Sequence, residues 1–294
     1  MLDGHAVDAK QAKEKFGSRP KRSGHQNEVL VAAALNTDKK FRARFCERVG
    51  IDESLFAEAS ADGKNAKQEE SVLGGKTAGK TDVAVRWKDG RVTNVSIKKR
   101  AAGQVYLVTA RNFVAAYEAQ YREAVPEKVR RALALFIGEA PDSKALLDAT
   151  DVSVDGKAVR QLAREQSSRL MFDVISSHDP DMAAGLLRWL REHVVRVFEL
   201  CFSAGAVKDR AKWAHVLWYR NLVDEERRGL DFMVSIPRVM EALARGGGGT
   251  VDRGPKNAGS TILLPFGHLQ YHLGQLEFYP QMAKIQDILR GACA

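Results

Sequence analysis

Cysteine is scarce in this chain. Its three residues, Cys46, Cys201 and Cys293, are odd in number and far apart, so no disulfide framework is expected. There is no Cys-x-x-Cys pair, which argues against a zinc site built on cysteine and for a reducing compartment. Long apolar runs are missing as well. No stretch approaches 18 apolar residues, so no transmembrane helix is expected. The N-terminus lacks the apolar core of a signal peptide. The expectation is a soluble cytoplasmic protein with no membrane partner. A Gly-x-Ser-x-Gly nucleophile elbow is absent too, which argues against a Ser-His-Asp hydrolase. Internal repeats are absent, and so is a clean βαβ alternation.

What is present in excess is positive charge. There are 46 lysines and arginines against 37 acids, a net charge of +9 and a pI of about 9.5. A surplus of that size points to a polyanionic partner such as nucleic acid, without proving one. At 294 residues and 45% hydrophobic content the chain can build one large or two modest domains.

The periodicity gives the order of elements. Residues 1–24 are polar and basic, either a loose or partly helical arm or one that touches phosphates. Within 25–48 the run VLVAAAL reads as a buried helix segment starting near Asn27 and Glu28. Residues 60–72 look like a loop. Residues 81–87 and 91–98 alternate apolar and polar, and Lys88-Asp89-Gly90 between them is a good turn, so the pair is a β-hairpin. Residues 104–108 fit either a third strand or a helix entry. Helical spacing follows over 110–123 and 126–137, with Pro126 where a helix begins, and over most of 157–202. Residues 213–219 and 230–236 read as strands, followed by a short helix IPRVMEALAR. Residues 246–260 read as a flexible loop with no obvious partner for its backbone. Residues 261–279 read as two strands around Leu273-Gly274-Gln275. Trp189, Trp213, Trp218 and Phe198 sit in apolar runs and are expected in cores. The fold class is therefore α/β, with a central mixed β-sheet flanked by helices. The expected organisation is a basic arm over 1–24, a catalytic core over 25–140, and a region over 141–294 that completes the fold.

The stretch 74–100 carries the chemistry: a Gly- and Lys-rich loop, an apolar strand opened by Asp82, and a second strand ending in three bases, Lys98, Lys99 and Arg100. Gly74 to Thr81 matches the phosphate-loop spacing GxxxxGK[ST] literally. Its flanks are wrong for that loop: a polar segment precedes it, and a strand follows where a helix is needed. A solvated surface hairpin accounts for the lysines but not for Asp82. A metal-dependent nuclease accounts for both. Mg²⁺ takes hard oxygen ligands, commonly one or two carboxylates with water and substrate phosphate, and Asp82 supplies one. Ser96 and Lys98, two apart on the second strand, share a face. Ile97 between them points to the core, leaving its carbonyl free to face a metal. Lys98 is placed to orient the attacking water or to stabilise negative charge.

This arrangement resembles the PD-(D/E)xK nuclease superfamily, and within it type II restriction endonucleases of the MspI sort. The stretches that carry the resemblance are GGKTAGKTDV, VSIKKRAAGQVYLV, ALFIGE at 134–139 and PFGHLQYHLGQLEFY at 265–279. It implies a restriction-endonuclease-like fold, Asp82 as the metal-binding acid, Lys98 as the catalytic lysine and Glu28 as a further acid on the first helix. It also implies Mg²⁺ as cofactor, double-stranded DNA as substrate and a cognate DNA methyltransferase in the host. Monomer and homodimer both stay open. The sequence departs from the family at Ser96, where Glu or Asp is usual. A neutral polar residue stands there in some restriction enzymes, and it leaves fewer carboxylates for the metal.

Candidate DNA contacts are Lys76, Lys80, Lys99 and Arg100 around the hairpin. Gln104 is placed to reach either the site or the DNA. Arg253 and Lys256 lie in a loop that either probes a groove or is disordered. His268, Gln270, Tyr271, His272 and Gln275 form a polar and aromatic cluster. His268 and His272 have the spacing of a helical zinc pair, but Pro265, Gly267 and Gly274 argue against a helix. DNA contact and packing of the aromatics are the alternatives that remain. Two other readings of the whole chain stand beside the restriction enzyme: a structure-directed DNA repair nuclease of the same fold, and a non-catalytic DNA-binding protein.

Overall fold

The computed structural model describes residues 19–61, 68–100, 105–154, 157–158, 168–224 and 229–291. In chain order the elements are α1 (Arg19–Thr37), α2 (Lys39–Val49), β1 (Phe56–Ala61), β2 (Gln68–Glu70), β3 (Lys76–Ala78), β4 (Val83–Trp87), β5 (Val92–Lys98), β6 (Tyr106–Val108), α3 (Ala110–Tyr121), α4 (Glu127–Ile137) and α5 (Ser143–Asp148). After a two-residue strand pair, β7 (Ser153–Val154) and β8 (Lys157–Ala158), come α6 (Phe172–His178), α7 (Pro180–Glu192), α8 (Val194–Glu199), β9 (Val216–Arg220), β10 (Asp231–Ser235) and α9 (Ile236–Arg245). The chain then runs through β11 (Asp252–Arg253), β12 (Thr261–Leu264), β13 (Gly267–His272), β14 (Gln275–Pro280) and α10 (Met282–Leu289). Among the described residues no helix is long and apolar enough to cross a membrane.

The chain divides into two compact units. The first holds residues 1–67, 81–100 and 216–233. Its mixed sheet runs in the order β1-β4-β5-β9-β10. β1, β4 and β5 are antiparallel, and β5 pairs parallel with β9. α1 and α2 supply the packing partner. Val31 and Leu35 of α1 and Phe41 and Phe45 of α2 share one core with Val83, Val85, Trp87, Val95, Ile97 and Trp218. Phe45 stacks on Trp87, and Phe41 and Phe45 lie with their ring centroids 5.4 Å from that of Trp218. Each such buried side chain contributes about 1.5–3 kcal/mol. The hairpin expected over 81–98 is present, closed by Gly90 at φ 86°. It is not the edge of the sheet: β1 covers β4, and β9 lies beside β5, so β5 is the middle strand.

The second unit holds residues 68–80, 101–215 and 234–294. Its sheet has the order β11-β12-β13-β14-β6, all antiparallel. Phe113 stacks on Phe278, and Phe198 on Phe202. Trp189, Trp213 and Phe198 are buried here and Trp218 in the first unit, as their apolar runs imply. This division does not follow the chain. Residues 105–137, expected with the catalytic core, belong to the second unit. Residues 216–220 add a strand to the sheet that carries the hairpin.

Several boundaries differ from the sequence reading. α1 begins at Arg19, well before Asn27. The loop expected over 60–72 contains the end of β1 and all of β2. Residues 261–280 form three strands, not two. The bend between β12 and β13 ends at Gly267, where a Cβ would lie 1.9 Å from the Tyr279 carbonyl oxygen, so that only glycine fits. The segment 246–260 is not partnerless. Gly254 N–H bonds to Thr261, and the carbonyls of Ala258 and Gly259 accept from Asp173 and Phe172. Its glycines give close approach: a Cβ on Gly248 would meet the Arg191 carbonyl oxygen at 2.7 Å.

Candidate functional site

The site is built where β4 begins and β5 ends, within the first unit. β5 alternates, placing Val95 and Ile97 in the core and Asn94, Ser96 and Lys98 on the other face. β4 starts at Val83, one residue after Asp82. The Asp82 carboxylate therefore lies beside a part of β5 that has no antiparallel strand partner, and it takes that partner's place. Its Oδ2 accepts the Ile97 N–H at 2.6 Å and the Ser96 hydroxyl at 3.3 Å. The Asp82 N–H donates to the Val95 carbonyl at 2.9 Å. Lys98 Nζ donates to Ser96 Oγ at 3.0 Å and lies 3.9 Å from Asp82 Oδ2. Ser96 is buried and joins the two charges, accepting from the lysine and donating to the acid.

Glu28 comes from α1. Burial raises its pKa, and so does the negative charge of Asp82. A hydrogen bond to His25 and the charges of His25 and Lys98 oppose the rise. His25 Nδ1 lies 3.0 Å from Glu28 Oε2. The fold thus brings Asp82, Ser96, Ile97, Lys98 and Glu28 to one place. Lys99 and Arg100 follow directly, with Arg100 exposed. Among the described residues no group of three or more His, Cys, Asp or Glu side chains is placed to hold a metal ion. The site offers two carboxylates.

Two of its supports escaped the sequence reading. Asn27 is fully buried. Its amide donates to the Arg220 carbonyl at 2.9 Å and accepts from Leu222 N–H at 2.7 Å, fixing α1, and so Glu28, against the end of β9. The signal was available, since Asn27, Val31 and Leu35 lie four apart on one helix face. Asn221, also buried, donates to the Lys99 carbonyl at 3.1 Å and to Asp224. Nothing in its local sequence marks it.

Against known proteins, no family profile matches the sequence, and no curated protein does. A solved structure matches the fold. Its title is "Crystal Structure of restriction endonuclease MspI in complex with its cognate DNA in P212121 space group", and it is similar with a TM-score of 0.52 over 93% of this chain and 99% of that one, at 12% sequence identity. The fold is restriction-endonuclease-like.

The other candidate residues lie in the second unit, apart from Gln104, which is outside the described residues. Lys76 is exposed on β3. Lys80 is held: its ammonium donates to the Val105 carbonyl at 2.8 Å and sits 4.1 Å from the Tyr106 ring centroid. Arg253 forms an ion pair with Asp173 at 3.3 Å, while Lys256 is exposed in a turn. On the second sheet, His268, Gln270 and His272 share one face of β13. They stand opposite Tyr279, Glu277 and Gln275 of β14. Gln270 donates to the buried Glu277 carboxylate at 2.5 Å. His268 stacks on Tyr279, and its burial lowers its pKa. Tyr271 alternates to the opposite face, under the Arg169 guanidinium at 4.8 Å. The strand spacing of His268 and His272 agrees with the argument against a helical zinc pair.

Proposed function

We propose that this protein is a metal-dependent endonuclease that cuts double-stranded DNA at a short specific sequence, in the manner of a type II restriction enzyme. The observation that carries this reading is the meeting of Asp82 and Lys98, through Ser96, at the end of the middle strand of the sheet. The restriction-endonuclease-like fold supports it. A protein that only binds DNA gains nothing from two carboxylates at this point, because they repel phosphate.

The donor set suits Mg²⁺. Asp82 and Glu28 are hard oxygen ligands; burial first, and then the charge of Asp82, raises the Glu28 pKa, and a bound cation would offset that charge. Asp82, Glu28 and the Ile97 carbonyl are the groups that would hold the ion. When bound, Mg²⁺ lowers the pKa of the attacking water and offsets charge on the phosphate. The reaction is hydrolysis: the water oxygen bonds to phosphorus and one phosphoester bond breaks. Lys98 keeps hydrogen-bond capacity beyond its bond to Ser96, enough to hold the water or a phosphate oxygen as negative charge grows. Ser96 fixes the ammonium relative to Asp82. Lys99 and Arg100 would hold the adjoining phosphates. The polar face of β13 and β14 is our candidate for base contacts, and a host methyltransferase would protect the same sequence.

The test is a gel of unmethylated phage DNA incubated with the protein, in Mg²⁺ and in EDTA. Discrete bands in Mg²⁺ alone, lost in Asp82→Asn and Lys98→Ala, are expected. A smear would indicate a structure-directed or non-specific nuclease. Intact DNA with every divalent metal tried, while DNA still binds, would leave a binding protein.

A further inference from the structure

A second concentration of positive charge lies wholly within the second unit, and the chemistry above makes no use of it. A cleft of about 970 Å³ has Arg122, Arg196, Lys208 and Arg210 among its lining residues, with Ser71 and Gln120 between them. Among the described residues no carboxylate lines it. Its volume is at the upper end for small-molecule sites, but those are walled mainly by apolar and aromatic groups. Here all four charged side chains of the lining have the same sign, and a cleft lined by one sign of charge concentrates counter-ions.

Two of the cations lie against aromatic rings, and the backbone of a third is fixed. Arg122 ends α3 in the left-handed conformation at φ 53°, its N–H bonded to the Glu118 carbonyl. The Arg196 guanidinium lies 5.5 Å from the Tyr121 ring centroid, and that of Arg210 lies 5.0 Å from the ring of Trp213. The floor is fixed as well. Gln120 is buried and donates to the Gly205 and Val207 carbonyls, and the Tyr121 hydroxyl donates to the Arg196 carbonyl. Two of the cations have partners outside the cleft, Arg196 with Glu123 and Lys208 with Glu70. Such exposed pairs contribute only about 0–1 kcal/mol and give way to a better anion. Arg122 and Arg210 pair with no carboxylate among the described residues.

We propose that this cleft binds the phosphate backbone of DNA, at a second place besides the cutting site. The proposal rests on the DNA reading above. Four cations spread around one large cleft suit several phosphates in a row better than a single one, and arginine, three of the four, binds phosphate through paired N–H groups.

The experiment measures DNA affinity against salt in EDTA, so that nothing is cut. Every phosphate that a protein cation no longer neutralises lowers the slope of log K against log salt by about 0.9. Arg122→Gln with Arg210→Gln should therefore lower the slope by about 1.8. Lys144→Gln with Arg290→Gln removes the same charge from the same unit, at residues paired with Asp148 and Asp287, and should leave the slope unchanged. An unchanged slope in the cleft variant overturns the proposal, and so does an equal drop in the control. A second arm titrates inorganic pyrophosphate without DNA. Saturable binding lost in the cleft variant, with the DNA slope intact, would assign the cleft to a small phosphate ligand and overturn the DNA proposal. A wild-type protein that binds no DNA at any salt would overturn the functional reading itself.

Discussion

Asp82 supports β5 and, in the function proposed above, takes part in the chemistry, and two substitutions separate these roles. Its Oδ2 accepts the Ile97 N–H and the Ser96 hydroxyl, and its charge faces Lys98 and Glu28. Asp82→Asn keeps an acceptor oxygen in place, so the local bonds survive while the charge is lost. Asp82→Ala loses both and leaves the N–H of Ile97, a residue 7% exposed, without its acceptor. A buried donor stranded in this way costs about 1–3 kcal/mol. Spread over a unit of this size, that is a fall in Tm of roughly 4–14 °C for the alanine variant. The asparagine variant should melt close to wild type. Both should lose at least about 10²-fold in cleavage rate, the scale of losing one charge-stabilising group. Calorimetric melting in EDTA and plasmid cleavage in Mg²⁺ read the two effects separately. If the asparagine variant cuts at the wild-type rate, Asp82 has no part in the chemistry. If it melts as low as the alanine variant, the carboxylate is not supporting β5 through that N–H.

Lys98→Ala should keep DNA affinity within a few-fold and lose about 10²–10³ in cleavage, and filter binding beside single-turnover cleavage would check it. For Glu28, burial and Asp82 hold the folded pKa above the unfolded one. The stability it contributes is therefore present below the unfolded pKa and lost as pH rises through the folded one. Glu28→Gln should then raise the melting temperature at pH 7 in EDTA while lowering cleavage; a variant that melts no higher than wild type at that pH would refute the electrostatic argument. Asp231→Ala strands the Trp218 indole N–H, bonded to it at 2.9 Å, and breaks the ion pair with Arg48, which should cost about 1–3 kcal/mol by urea unfolding. Phe45→Ala opens the core between Trp87 and Trp218 and should cost about 3–5 kcal/mol in the same assay.

The hairpin was legible because β4 and β5 alternate and a Gly turn joins them, and from that alone Ser96 and Lys98 fall on one face. Glu28 came only from the family resemblance. β1 was not legible: Phe56–Ala61 buries only Ala59, so an edge strand of small and charged residues shows no period-2 pattern. The segment 246–260 misled for a physical reason. Glycine signals freedom in a sequence, but Gly248 and Gly259 are there because the backbone passes too close to Arg191 and Phe172 for a Cβ. Lys80 reads as a surface base, yet its stem packs against Gly205 and its ammonium against Tyr106. Charge is visible in a sequence, and the neighbour that occupies it is not. The pairing of β5 with β9 is likewise a parallel match between distant segments, with no turn to announce it.

That pairing has a consequence in time. Val95 is matched to Val216, and Asn27 bonds to Arg220 and Leu222. On a ribosome adding about 5–20 residues per second, the hairpin emerges on the order of ten seconds before the strand that flanks it. Through that interval Asp82 and Lys98 exist as sequence, while β5 lacks one neighbour and α1 lacks the anchor that sets Glu28. Non-local pairing of this kind is slow to form. The site is therefore among the last parts of the first unit to be assembled, and more than 100 residues are added after Lys98 before its strand gains that neighbour.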